Sequence, residues 1–63
     1  MKIVDWYIIQ NQTERQMFQG FVRYKGYADY TGFDIWMMEH NFTPELKKAY
    51  TAYKKLIHDK GGN

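Results

Sequence analysis

Few side chains in this sequence are equipped for chemistry, and most of those are lysines. Cysteine and serine are absent. That removes thiolate and seryl nucleophiles, disulfides and thiolate metal sites together. The two histidines, His40 and His58, stand 18 residues apart, and neither belongs to a metal-ligand pattern such as HExxH. His40 falls on an apolar stripe near a predicted helix end, where an imidazole usually serves the fold. His58 falls in the last turn of the last predicted helix, where a cation suits the dipole. Asp29 and Asp34 make a carboxylate pair, but spacing alone is a weak signal of acid–base work. The five glycines are scattered, so no glycine-rich loop is available to cradle a phosphate. These patterns supply no catalytic residue, no cofactor site and no metal site, and they point away from an enzyme.

What remains is chemistry of surfaces. Phe33, Trp36, Met37 and His40 share one side of a short predicted helix, while Ile35 and Met38 point nearly the opposite way, flanked by Asp34 and Glu39. A helix apolar on two sides is either buried on both or lends one to a partner. A chain of 63 residues has little protein to spare for covering the second side. Methionine is also common at adaptable contact surfaces. Tyr24, Tyr27 and Tyr30 recur every third position beside Arg23 and Lys25, a pattern that either closes the rim of a small core or anchors an interface. The expected protein-binding residues are therefore Asp34, Ile35, Met38 and Glu39, with Tyr27 and Tyr30.

The alternative surface is basic. At about 100° per residue, Lys47, Lys48, Thr51, Lys54, Lys55 and His58 fill one continuous arc of the last helix. Such a row can neutralise phosphates in a salt-dependent, sequence-tolerant way, or it can simply keep an aromatic-rich protein in solution. Lysines rather than arginines give no sign of bidentate guanine reading. Residues 1 to 42 carry four bases against five acids, whereas residues 43 to 63 carry five lysines against Glu45 and Asp59. The positive charge is thus concentrated in the last third, and the acids of the rest would repel a polyanion.

The elements that must position these surfaces read as helices. Thr43-Pro44-Glu45 offers a capping hydroxyl, a proline at the first helical position and an acid at the positive end of the dipole. Leu46, Ala49, Tyr50, Tyr53, Leu56 and Ile57 follow at helical spacing, and Gly61-Gly62 supply a stop, so a helix is predicted over 44–59. Thr13-Glu14-Arg15-Gln16 matches a capping box. Behind it Met17, Phe18, Phe21, Val22 and Tyr24 share a face, and Lys25-Gly26 reads as the end. Gly20 sits inside that helix at a cost of about 1 kcal/mol against alanine. Asp29 or Thr31 is placed to cap a short helix from Gly32 to His40, ended by Asn41. Lys2 to Gln10 is rich in β-branched and aromatic residues, but a lone strand has no partner among helices, so it is read as a first helix. Thr13 to His40 outlines two helices joined by a turn, as in helix-turn-helix domains. Aromatic residues where that turn wants small ones, and Asp34 and Glu39 on the second helix, argue against the likeness.

The expected fold is one small all-α domain of three or four helices around an aromatic core, with 19% of the chain aromatic. The alternative is α+β, with Lys2–Ile9 and Phe18–Tyr27 paired as a hairpin. Ile3 to Ile9 is too short to cross a bilayer, carries Asp5 and lacks a small-residue cleavage site. The cytoplasm is therefore the expected compartment. Residues with AT-rich codons (Phe, Tyr, Met, Ile, Asn, Lys) number 29 against 11 for Gly, Ala, Arg and Pro, which suits a bacterium or a phage. The expected function is a non-enzymatic protein-binding module, an accessory or inhibitor protein whose partner is another protein or a second copy of itself. Nucleic-acid binding by the lysine arc is the alternative.

Overall fold

The computed structural model describes the backbone of residues 1–29 and 31–61, and side chains through Asp59 with Tyr30 excepted. Among these residues the chain folds as α1 (Ile3–Ile8), α2 (Gln12–Lys25), α3 (Phe33–Glu39) and α4 (Pro44–Gly61). The protein is an all-α fold, and the hairpin alternative is overturned because both of its segments are helical. One trace of strand character survives at the N-terminus. Ile3 N–H donates to the His40 carbonyl at 2.9 Å and Phe42 N–H to the Met1 carbonyl at 2.8 Å, around an isolated antiparallel bridge between Lys2 and Asn41. That bridge pins the start of α1 beside the end of α3. Among the described residues no helix is long and apolar enough to cross a membrane.

The helix ends follow local chemistry, with corrections at the caps of α2 and α3 and at the end of α4, which runs through Gly61 rather than stopping at Asp59. Thr43 Oγ1 accepts from Leu46 N–H at 3.1 Å ahead of Pro44, the cap that Thr43-Pro44 predicts. α2 is capped by Asn11 rather than Thr13: Asn11 Oδ1 accepts from Glu14 N–H at 2.8 Å, and Thr13 lies inside the first turn. Asparagine is the stronger cap, and the Glu14 side chain, at the position from which it could reach back to that cap, turns to a distant partner instead. At the other end Gly26 takes a left-handed φ of 72°. Its N–H reaches the Arg23 carbonyl and Tyr27 N–H reaches that of Val22, both at 3.1 Å, which is a Schellman closure. Tyr27 then folds back with its ring edge-on to Phe21 at 5.8 Å. Ahead of α3, Asp29 Oδ1 accepts from Gly32 N–H at 2.6 Å and from the Thr31 hydroxyl at 3.1 Å. Asp29 thus organises the turn, but neither predicted residue caps α3: its cap position is Gly32, which makes no side-chain cap hydrogen bond.

The core is Ile3, Phe18, Phe21, Val22, Met37 and Tyr50. Phe18 lies at its centre, fully buried, with Trp6 edge-on at 5.0 Å, Tyr50 edge-on at 5.2 Å and Phe42 edge-on at 6.1 Å. α1 packs on α3 and α2 on α4, with the aromatic cluster between the two pairs. Large rings let so short a chain bury enough surface without a staple. Tyr24, expected on the buried face of α2, is exposed instead and lies over Tyr53 at 5.4 Å. The Tyr53 hydroxyl passes 2.8 Å from where a side-chain carbon on Gly20 would stand, so this glycine leaves room for α4.

Candidate functional site

The outward face of α3 is the most unusual surface of the protein. Phe33, Trp36 and Met37 turn inward against the core. Ile35 and Met38 face outward and remain 59% and 60% exposed, with exposed Asp34 and Glu39 beside them. The core is closed by other residues, so these two large apolar side chains are surplus to it. The four α3 residues singled out from sequence therefore come together as one acidic-apolar surface. Tyr27 does not join them. It stacks on Trp36, centroids 5.7 Å apart and planes within 12°, on the flank of α3 opposite Met38. Tyr30 lies outside the described residues.

Sequence reasoning missed two further exposed apolar side chains. Ile8 and Ile9, at the end of α1, are 64% and 71% exposed. α1 spans only six residues, too few for a periodicity to show which side is solvent-facing. The usable signal was its excess of apolar residues over what one turn and a half can bury.

The lysine arc is real but shorter than expected. Lys47, Lys48, Lys55 and His58 are exposed, whereas Lys54 is half-buried and committed. Its Nζ lies 2.7 Å from Glu14 Oε2 and 5.0 Å from the centre of the Tyr50 ring. The Tyr50 hydroxyl donates to the same carboxylate oxygen at 2.7 Å. Hydrogen bonds from Lys54 and then Tyr50 hold the Glu14 carboxyl below its ordinary range. Burial first, and then the Glu14 acceptor, push the Tyr50 hydroxyl up, so it stays protonated and donating. This trio ties the start of α2 to the middle of α4; its role is structural.

Asp29, Asp34 and His40 were the other candidates in the sequence. Asp29 and Asp34 both line a cavity of about 280 Å³ floored by Val22, Ala28 and Phe33, with Arg23 and Gln19 at its side. The Asp29 carboxylate is already occupied by the turn that precedes α3. His40 is exposed, stacked on Trp36 at 5.4 Å, with Nδ1 2.9 Å from the Trp36 carbonyl. That contact fixes the ring against its own helix. Among the described residues no three His, Asp or Glu side chains converge as a metal site would require. No protein-family model, curated protein or solved structure matches this chain, so the side chains are judged on their own geometry.

Proposed function

We propose that this protein is a small non-enzymatic binding module that docks another protein on the outward face of α3. The observation that carries the reading is the exposure of Ile35 and Met38, side by side between Asp34 and Glu39, on a helix whose inner face alone completes the core. Leaving such side chains in water forgoes roughly 1.5–3 kcal/mol each that burial would return, and a partner surface recovers it. The codon bias of the sequence is in keeping with a bacterial or phage accessory or inhibitor protein of the cytoplasm. Replacing Ile35 or Met38 by aspartate is expected to abolish partner binding or self-association while the far-UV helical signal is unchanged. Unfolding of both variants would make these residues core and remove the reading.

A second reading rests on the exposed row of Lys47, Lys48 and Lys55 on α4. Three phosphate contacts on duplex DNA would give a log affinity against log salt slope of about −2.7, from roughly −0.9 per contact. Lys48→Gln with Lys55→Gln would then flatten it by about two contacts without altering sequence preference. Absence of binding to DNA or RNA at low salt would return these lysines to a solubilising role.

A further inference from the structure

α1 and α3 run antiparallel, because Ile3 sits against His40 through a 2.9 Å backbone bond and Tyr7 sits edge-on to Phe33 at 5.5 Å. The two tryptophans show which flanks of the helices meet. Trp6 leaves α1 toward Phe42 and Tyr50, at 4.6 and 5.7 Å, while Trp36 leaves α3 toward Tyr27 and His40, at 5.7 and 5.4 Å. The indoles thus occupy the outer flanks of the pair. The opposite flanks border the seam, and at about 100° per residue they carry Val4 and Ile8 on α1 and Asp34 and Met38 on α3. Asp5 and Ile35 crown the same seam, one on each helix. Exposed Ile8, Ile35 and Met38 therefore form one apolar strip across two helices, edged by exposed Asp5, Asp34 and Glu39. Two cations stand at its margin: Lys2 turns its Nζ toward the Glu39 carbonyl at 3.4 Å, and Arg23 lines a cavity together with Asp34.

We propose that this acid-edged seam between α1 and α3 is a docking groove for a basic amphipathic helix of the partner protein. The inference rests on the α3 reading above and adds a second wall and a partner chemistry. Charge complementarity selects the occupant. The three carboxylates favour lysine or arginine flanking an apolar stripe, and they would oppose one another if the same face of a second copy were docked there. Helices of six and seven residues give a groove about 10 Å long at 1.5 Å rise per residue. About two turns of a partner helix would lie in it, with apolar anchors spaced three or four apart.

The test is a methyl NMR titration of the intact chain with synthetic helices of about four turns. One has leucines at helical spacing with lysine elsewhere, one replaces lysine by glutamate, and one shuffles the Leu/Lys order. Saturable shifts at Ile8, Ile35 and Met38 with the first peptide are expected, with affinity at least about tenfold weaker for the other two. Ile8→Lys, remaining helical, should weaken binding by a similar factor. Equal affinity for the glutamate peptide, an unshifted Ile8, or shifts that follow the protein's own concentration would each overturn the groove, the last in favour of a second copy. Unfolding of both Ile35→Asp and Met38→Asp would overturn the α3 reading and the groove with it. A folded Ile35→Asp beside a wild type that binds none of the peptides overturns the groove alone.

Discussion

Where α2 meets α4, side chains are used up by the fold; where α1 and α3 face solvent, they are left over. On the first side Glu14, Tyr50 and Lys54 satisfy one another across 2.7 Å contacts, Gly26 closes the helix end, and Phe18 and Phe21 are wholly buried. On the second side Ile8, Ile35 and Met38 are more than half exposed, and Asp5, Asp34 and Glu39 stand around them in water. A marginal chain of 63 residues draws Ile3 of α1 and Met37 of α3 into the common core and keeps outward apolar surface of the same two helices free. That division is what makes the α1–α3 face a candidate for contact with a partner, since a face needed for folding could not be given over to binding.

The comparison is broken most forcefully at the centre of the core. Phe18→Ala removes the ring against which Trp6 and Tyr50 pack, and a loss of about 3–5 kcal/mol is expected, enough to unfold a domain this small at ambient temperature. Denaturant unfolding followed by circular dichroism reads it. Gly26→Ala is next: a side chain at φ 72° costs about 1–2 kcal/mol, visible as a lower melting temperature with the helical signal retained below it.

The polar tie comes third. Tyr50→Phe should cost about 0.5–1.5 kcal/mol for the lost hydrogen bond. The carboxyl of Glu14 is held below its ordinary value of 4.5, so its contribution is complete above that pH and is lost as pH falls through the lower, folded value. Glu14→Gln is expected to lower stability at neutral pH and to flatten the decline in acid. An unchanged acid profile would detach the trio from stability.

Much of this was legible in the sequence because it is local. Thr43-Pro44 marks the start of α4, Lys25-Gly26 marks the end of α2, and the angular positions of Ile35 and Met38 place them opposite the stripe of Phe33, Trp36, Met37 and His40. What was not legible depends on partners far along the chain. Lys54 reads as one lysine of a solvated arc, and nothing in its neighbourhood shows that Glu14, 40 residues earlier, will claim it. Asn11 displaces Thr13, two residues later, as the cap of α2, asparagine being the stronger of two good capping residues. Ile8 joins the candidate surface only through the antiparallel seating of α1 on α3, which six residues of sequence do not encode.

The smallest expected effect bears on the central claim most directly: that the fold does not depend on the outward face of α3. The measurement is the equilibrium urea unfolding of Ile35→Gln/Met38→Gln, glutamine being chosen because it keeps helix propensity while removing the apolar surface. A midpoint and slope close to wild type are expected, with stability changed by less than about 1 kcal/mol for two surface positions. A loss of about 4 kcal/mol or more, the size of two core truncations, would place these side chains in the core and contradict the account.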